Sequence, residues 1–280
     1  IPGGGPLVQI RGLGAVGAGS QPLYVVDGFP LPSTSDQKSN PINDIPPQDI
    51  ASITILKDAS ATAIYGSRGA NGVILVTTHR GRTGKPSIKV NAYTGIQEVI
   101  PEEKPNMMNA TEFAQFQKER LEDLGLEVPK LYQNPEALGK GTNWFDELTR
   151  VAAVNEVNLS ITGGGENITS YASIGYMKQD GVVIETYFER MTARVNVDAK
   201  FGSRFNIGLN LAPTFTLRKR DMTGGNGRDH ELGWAMAANP IAPVYNADGS
   251  YNKMIGDETG TTWNYPNLGQ SMKEINQRTK

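Results

Sequence analysis

The chain has 280 residues, with 32 glycines, no cysteine and a formal net charge of −2. This length allows one large domain or two ordinary ones. The near-zero charge argues against a nucleic-acid partner, and the lack of cysteine excludes disulfides, thiolate metal sites and cysteine nucleophiles. No apolar run approaches the roughly 20 residues of a transmembrane helix, although membrane β-barrels avoid such runs because their strands alternate apolar and polar residues.

The first clear pattern lies between residues 49 and 78 and predicts a small α/β unit. It contains a β-branched run, a helix-tolerant run, a turn dipeptide and a second β-branched run: Ile53–Leu56, Ala59–Tyr65, Asn71-Gly72 and Val73–Thr78. Asp58 has the carboxylate of a helix N-cap, and Gly66 can adopt the left-handed conformation that ends a helix. These elements by themselves predict no function.

Three motifs resemble the plug domain of TonB-dependent outer-membrane transporters, most of all the SusC/RagA-like family. They are Val8–Gly12 (VQIRG), Pro22–Pro30 (PLYVVDGFP) and the Asp49–Thr78 segment, in the family's order. The resemblance implies a structural plug motif at Arg11, Gly12, Asp27, Gly28, Lys57, Asp58, Tyr65, Gly66, Asn71 and Gly72. We therefore expect a plug domain over residues 1–84.

Residues 12–17 also match G-x-G-x-x-G and follow a predicted strand. A dinucleotide-binding fold would need a helix to open at these glycines, and Pro22 would interrupt that helix almost at once. We therefore interpret the glycines as a tight loop within the plug and expect no cofactor.

Beyond a Gly- and Pro-containing linker at residues 81–86, the pattern changes to strict alternation of apolar and polar residues. The alternation covers Ile88–Tyr93, Val157–Thr162, Tyr171–Tyr176, Phe188–Lys200 and Arg204–Arg218. The last two segments reach or exceed the ~9–11 residues with which a tilted strand crosses an outer membrane. Residues 85–280 are thus predicted to form the first part of an antiparallel transmembrane β-barrel, about five or six strands of it.

The connections between these strands sort by length. Residues 163–167 and 201–203 are predicted tight turns, whereas the segments near 97–153 and 219–265 are long. Outer-membrane barrels have short periplasmic turns and long extracellular loops. If the first strand runs outward, both tight turns are periplasmic and both long segments are extracellular.

Each long segment contains one recognisable feature. In the first, Asn109 and Glu112 predict a capping box, and Phe113, Phe116, Leu121 and Leu124 predict the apolar face of a helix that Gly125 can end. We expect this helix to lie in the extracellular loop and to pack on the barrel rim or on a partner, and packing on its own loop is favoured over a dedicated ligand site. In the second, residues 240–251 (PIAPVYNADGSY) resemble a loop motif of SusC-like proteins and predict an extended stretch followed by an Asp-Gly turn.

No pattern predicts catalysis or a metal site. The two histidines, His79 and His230, are too few for a histidine-rich zinc site. A polar cluster at Asp221, Asp229, His230 and Glu231 is interpreted as a solvated loop. Four plug residues are candidates for holding the plug against charged lumen side chains, in a structural role: Lys57, Asp58, Tyr65 and Arg68.

The fold class that follows is an α/β plug followed by antiparallel transmembrane strands, mostly β, within a barrel that the resemblance implies to have 22 strands. The implied function is TonB-dependent import of a glycan or peptide across a Bacteroidota-type outer membrane, without enzyme activity. The implied partners are a SusD-like surface lipoprotein, the TonB–ExbB–ExbD system and outer-membrane lipid.

Two other interpretations stay open at this point. The second assigns the chain to a non-transporting structural subunit of a larger outer-membrane assembly, which would share every motif. A soluble β-rich binding domain is the third interpretation. The abrupt start, the polar end and the missing TonB box lead us to expect a much longer parent protein, and the sequence does not identify substrate-binding residues.

Overall fold

The computed structural model describes residues 2–4, 8, 10, 21–31, 41–58, 63–202, 204–219 and 231–252. These residues fold into two compact units. The first takes the described parts of Ile1–Gly95, Ala153–Asp180 and Tyr187–Arg218. The second takes those of Ile96–Ala152, Gly181–Thr186 and Lys219–Lys280.

The first unit contains a small mixed sheet, here called the plug sheet. Its strands are β1 (Leu23–Val26), β2 (Phe29–Pro30), β3 (Ile50–Leu56) and β4 (Val73–Thr78), in the order β2-β1-β4-β3. β1 runs parallel to β4, and the other two pairs are antiparallel. The β-branched sequences of β3 and β4 suit this pairing because such side chains pack well on a pleated surface.

The central strands β1 and β4 of the plug sheet have buried side chains on both faces, because alternate side chains point to opposite sides, whereas the middle of β3 is exposed. One face holds a cluster of Ile10, Tyr24, Ile45, Ile74 and Val76. The other face holds Leu23, Val25 and Val73, with Tyr65 and Leu56 packed against them.

The strand–turn–strand prediction for residues 53–78 is confirmed, and β3 extends three residues further toward the N-terminus than predicted. Gly66 has φ +58° and Gly72 has φ +94°, as a helix stop and a tight turn require. The helical part that the structure describes is a 3₁₀ segment, Ala63–Gly69, kinked at Gly66. Residues 59–62, where the predicted helix would begin, lie outside the described residues.

The first unit also contains a large antiparallel sheet of long strands. They are β5 (Gly84–Gln97), β6 (Ala152–Gly164), β7 (Ile168–Asp180), β8 (Tyr187–Phe201), β9 (Phe205–Leu211) and β10 (Thr214–Lys219). The order is β10-β8-β7-β6-β5, with β9 also paired to β8. The first four predicted alternating segments lie within these strands. Both predicted tight turns, after β6 and after β8, lie at the same end of the sheet.

The two faces of the large sheet have opposite chemistry. One face carries a buried polar row: Asn158, Ser173, Arg190, Thr192, Arg194 and Asn196. The other carries an exposed apolar row: Val157, Leu159, Ile161, Ile174, Met191, Val195, Ile207 and Leu209. The neighbours Ser173 and Ile174 are 5 % and 59 % exposed. This is the reverse of a soluble sheet, in which the apolar face is buried and the polar face is wet.

The last predicted strand, Arg204–Arg218, is interrupted in the structure. Ala212 and Pro213 separate β9 from β10, because proline has no N–H to donate to the ladder. The Pro213 carbonyl still accepts a hydrogen bond from Ala193 N at 3.0 Å. Both pieces therefore stay paired with β8, and the prediction of one unbroken strand is wrong.

The second unit is mostly helical. It contains α1 (Ala110–Asp123), α2 (Lys130–Gln133), α3 (Trp144–Leu148) and α4 (Glu231–Ala237). Trp144 and Leu148 pack against Ala235 and Ala238 in one core cluster. None of the helices in the described ranges has the length and apolar character needed to cross a membrane.

Helix α1 confirms its predicted start and corrects its predicted face. The Asn109 side chain accepts from Glu112 N at 2.9 Å, and the Glu112 carboxylate accepts from Asn109 N at 3.0 Å. Phe116 is 49 % exposed and Leu124 is 64 % exposed, so two of the four predicted core residues are wrong. The buried face is instead centred on Ala114, whose small side chain lets Tyr132 pack closely.

The second loop motif confirms its predicted turn. Tyr245 and Tyr251 form an isolated antiparallel bridge around the Asp-Gly turn, where Gly249 has φ +80°. Asp248 Oδ1 accepts from Ser250 N at 2.9 Å, which fixes the turn.

Candidate functional site

The candidate site is the contact between the plug sheet and the buried polar row of the large sheet. It begins at the two-residue turn between β1 and β2. Asp27 has φ +48° and Gly28 has φ +90°, the consecutive left-handed residues that a tight hairpin turn demands. The turn directs the Asp27 carboxylate at the end of β4, where it accepts from Thr78 N at 2.9 Å and Thr78 Oγ1 at 2.6 Å.

Arg194, in the middle of β8, lies among these plug groups. Its guanidinium is 3.6 Å from Asp27 Oδ2 and 3.5 Å from Asp49 Oδ2, and it donates to Thr78 Oγ1 at 3.2 Å. The side chains of Arg194, Asp27 and Asp49 are 6 %, 3 % and 2 % exposed. Two buried carboxylates from the plug thus share one buried cation from the large sheet, which is here called the wall.

The same region has further connections. The Tyr171 hydroxyl on β7 donates to Asp49 Oδ1 at 2.8 Å. Asn210 Nδ2 on β9 donates to Asp27 Oδ2 at 3.2 Å, and Asn196 Nδ2 on β8 donates to the His79 carbonyl at 2.7 Å. Three neighbouring strands of the large sheet therefore hold the plug through side chains. We call this set, with Arg194, Asp27, Asp49 and Thr78, the wall network.

A second contact lies further along β8. Arg190 NH2 pairs with Glu156 at 3.0 Å, and Arg190 NH1 donates to the Asn43 carbonyl of the plug. Arg190 and Glu156 are 6 % and 14 % exposed. An ion pair within the wall thus presents its remaining donors to the plug backbone.

The third contact is made at Gly3 of the plug. Gly3 N donates to Gln179 Oε1 at 3.0 Å, and the Gly3 carbonyl accepts from Asn43 and from Arg218, both at 2.8 Å. The Arg218 guanidinium lies 4.9 Å from the centre of the Phe188 ring, a cation–π distance. One plug residue is thereby bound to β7 and β10.

The arrangement suits holding one part of the protein against another rather than catalysis. Its ionisable groups are paired with each other or with backbone. Within the described ranges, no three His, Asp or Glu side chains come together as a metal site.

Comparisons with known proteins agree with this architecture. The family model of the TonB-dependent Receptor Plug Domain matches residues 1–73. TonB-dependent receptor P3 of Formosa agariphila is 37% identical over 262 residues, covering 92% of this chain and 24% of that protein. TonB-dependent receptor SusC of Bacteroides thetaiotaomicron is 33% identical over 288 residues, covering 96% of this chain and 27% of SusC.

A solved structure of the RagAB peptide transporter superimposes with a TM-score of 0.74 at 26% sequence identity, over 95% of this chain and 32% of that one. This chain belongs to the SusC/RagA-like family of TonB-dependent transporters. It spans about a quarter of the length of these curated relatives. These relatives are TonB-dependent receptors and a peptide transporter, in agreement with the sequence-based prediction of a transport protein.

The plug-motif residues that the family resemblance implied lie at several separate places in the structure. Asp27 and Gly28 form the β1–β2 turn, and Asp27 lies in the wall network. Asn71 and Gly72 precede β4, where a Cβ on Gly72 would come within 2.9 Å of Ile10. Arg11 and Gly12 lie outside the described residues.

The four residues predicted to hold the plug are placed differently from the wall network. Lys57, Asp58 and Arg68 are exposed, and Tyr65 packs on the apolar cluster of the plug sheet. Within the wall network, the plug side chains are those of Asp27, Asp49 and Thr78. The sequence does contain one signal that points to the large sheet. Arg190 and Arg194 lie on the polar row of β8, a strand of membrane-crossing length. If that row is buried, both arginines need partners.

The glycine at position 3 leads to a first prediction. Gly3 has φ +62°, and a Cβ there would lie 2.3 Å from a Phe188 ring carbon. We expect Gly3→Ala in the full transporter to release this segment, because both the backbone conformation and the contact oppose a side chain. Hydrogen exchange of the peptide around Asn43 should become roughly tenfold faster. Gly165→Ala, in an open turn with nothing near its Cβ, should leave exchange unchanged; equal exchange in both variants would contradict the assignment.

A second prediction concerns pH. Burial by itself would raise the pKa of the Asp27 carboxyl, but hydrogen bonds from Thr78 and Asn210 and the charge of Arg194 together hold that pKa below its ordinary value. Ionised Asp27 therefore stabilises the fold at every pH above its unfolded value of about 3.9. That contribution is lost as the pH falls through the lowered folded value.

We therefore expect the Tm of the full transporter to decline below about pH 4 more steeply in the wild type than in Asp27→Asn. Thermal unfolding measured between about pH 3 and about pH 7 checks this. Asp123→Asn, which removes an exposed carboxylate on α1, is the control and should keep the wild-type profile. Identical acid limbs for the wild type and Asp27→Asn would show that Asp27 contributes nothing to acid lability.

Proposed function

We propose that the protein to which this chain belongs imports a nutrient, a glycan or a peptide, across the bacterial outer membrane in a TonB-dependent step. The observation that carries the proposal is the pairing of a buried polar row with an exposed apolar row on the same strands. A transmembrane barrel has this distribution, with lipid outside and a polar lumen inside. The plug sheet lies against the polar row, which is the lumen face in this proposal.

The contacts that hold the plug are of a kind that would allow the plug to move. The contacts of the wall network are side-chain ion pairs and hydrogen bonds. Such contacts can be broken and re-formed without dismantling either sheet, whose strands keep their own backbone ladders. In the proposed cycle TonB, driven by ExbB and ExbD, displaces part of the plug, and the wall network restores it afterwards.

The proposed partner on the cell surface is a SusD-like lipoprotein, and the proposed location is a Bacteroidota-type outer membrane. Support comes from relatives in Formosa agariphila and Bacteroides thetaiotaomicron and from likeness to the RagAB peptide transporter. The exposed apolar row is proposed to contact outer-membrane lipid, since contiguous apolar surface of this extent needs a cover. The same row disfavours a soluble β-rich binding domain.

The decisive experiment is uptake by the native organism. We expect deletion of the gene to abolish accumulation of one labelled glycan or peptide from a panel, and deletion of tonB to have the same effect. Purification of the native complex should recover a SusD-like lipoprotein. Unimpaired uptake of the whole panel, with recovery in a larger multi-subunit assembly, would instead establish the structural-subunit alternative.

A further inference from the structure

A cavity of about 200 Å³ lies between the plug and the polar face of the large sheet, at the segment that leaves β4. The plug lines it with Gln48, His79, Arg80 and Arg82. Strands β5 and β6 line it with Lys89 and Thr162. At about 30 Å³ per water molecule, it has room for roughly six waters. It is separate from the glycine and aspartate contacts described above, although Tyr171 of the wall network forms part of its edge.

The charge of this cavity is one-sided. Its described lining contains three cationic side chains, Arg80, Arg82 and Lys89, and no Asp or Glu. Arg80 is neutralised by Asp198 at 3.2 Å. Arg82 and Lys89 have no carboxylate within ion-pair distance among the described residues. Arg82 and Lys89 are exposed at the edge of this volume, and their two uncompensated positive charges make it attractive to an anion.

The cavity also has hydrogen-bonding capacity left over. Thr162 Oγ1 and Gln48 Oε1 are buried and have no partner among the described residues. Buried polar atoms are normally satisfied by protein, water or a ligand. Ser87 and Ser160 line the same cavity, and the Ser160 side chain is already hydrogen-bonded to Tyr171. A hydroxyl can donate to an anion, whereas the amide oxygen of Gln48 accepts from a ligand O–H.

We propose that this cavity binds a small oxyanion, with phosphate as the type ligand. Arg82 supplies a planar guanidinium suited to two parallel hydrogen bonds, and Lys89 supplies a point charge. Thr162 donates its buried hydroxyl, and Gln48 accepts from the proton that phosphate retains near neutral pH. The bound group is either a free inorganic anion or the acidic group of a larger solute in the lumen. The site requires neither active import nor a particular nutrient, so it stands apart from the proposed function.

Equilibrium dialysis of the full transporter in detergent micelles against radiolabelled phosphate tests this site. We expect saturable binding at one site per chain. Arg82→Gln with Lys89→Gln should weaken binding at least about tenfold, because hydrogen bonds to charged groups are individually worth a factor of about ten or more. Arg120→Gln with Lys130→Gln removes the same two charges from exposed positions in the second unit and should change binding less than about twofold.

Thr162→Val tests whether a specific hydrogen bond, and not only electrostatic attraction, holds the anion. The substitution removes the buried hydroxyl without changing charge. We expect it to weaken phosphate binding about fivefold. Absence of saturable binding in the wild type, or equal binding by the wild type and the cavity variants, would overturn the proposal. Glucose 6-phosphate distinguishes the two sources: competition with phosphate at similar concentration assigns the site to acidic groups of solutes, and failure to compete assigns it to the free anion.

Discussion

Replacing Arg194 by methionine is expected to loosen the plug more than any other single change in the wall network. Methionine keeps the length of the side chain but leaves Asp27 and Asp49 as buried carboxylates without their shared cation. Removing one partner of a buried ion pair typically costs about 3–5 kcal/mol. With a factor of ten for every 1.4 kcal/mol, we expect local opening of the plug to rise by at least about 100-fold.

Hydrogen exchange at the amides of β1 and β4, in the full transporter in detergent, measures that opening directly. Arg204→Met, which removes an exposed arginine in the turn just before β9, is the matched control and should leave exchange unchanged. Conductance through single transporters in planar bilayers gives an independent readout, because a loosened plug leaks ions. Wild-type exchange and conductance in Arg194→Met would contradict the assigned role of the network.

The charges themselves can be separated from the packing around them. Adding Asp27→Asn and Asp49→Asn to Arg194→Met removes every net charge from the buried triad. Replacing a whole buried ionic group by neutral side chains is often nearly neutral for stability. We therefore expect the triple variant to recover much of the lost protection, while each asparagine variant alone does not match the wild type.

The strands of the large sheet were predictable because their pattern has a period of two and admits one register. Moving β7 by one residue would bury Ile174 and expose Ser173, so the alternation fixes which face is which. Pro213 was equally visible in the sequence, but its consequence was missed. The apolar period continues across it from Leu211 to Phe215, so the periodicity concealed the break between β9 and β10.

For helix α1, the sequence predicted the start of the helix but not its buried face. Its start was predictable because a capping box is a local interaction over three residues. Its buried face was not, because burial depends on which partner approaches. Tyr132 packs on Ala114, and the larger Phe116 remains exposed on the other side of the helix. The prediction relied on large apolar side chains and therefore placed the buried face on the wrong side of the helix.

The sequence indicates that Arg190 and Arg194 need partners if their row is buried, but it does not identify those partners. Tyr171 and Asp49, joined at 2.8 Å, are 122 residues apart in the chain. No local rule pairs a plug carboxylate with a particular residue on a barrel strand, since that choice depends on how the plug sits inside the sheet. The family resemblance drew attention to conspicuous motif positions, and among them Asp27 lies in the wall network.

The linker between plug and wall provides the other large expected effect. A Cβ on Gly81 would lie 2.2 Å from Ser170 N and 2.5 Å from the Thr169 carbonyl carbon, both backbone atoms of β7. Backbone in the middle of a sheet cannot give way as a flexible side chain can, so Gly81→Ala has to lift the linker from β7. Overpacking of this kind costs typically 1–3 kcal/mol, and a contact with two backbone atoms should lie at about the upper end.

Arg80 and Arg82 flank this glycine and make the displacement measurable by trypsin. We expect cleavage after these arginines to be about 100-fold faster in Gly81→Ala than in the wild-type transporter, because proteolysis follows the population of the opened linker. Gly165→Ala, in the adjacent turn with open space around its Cβ, should be cleaved at the wild-type rate. Equal rates in all three proteins would mean that the linker does not rest on β7. Faster cleavage of Gly81→Ala would show that Gly81 fixes the plug to the wall through steric fit. This attachment is independent of the charges that Arg194 brings together.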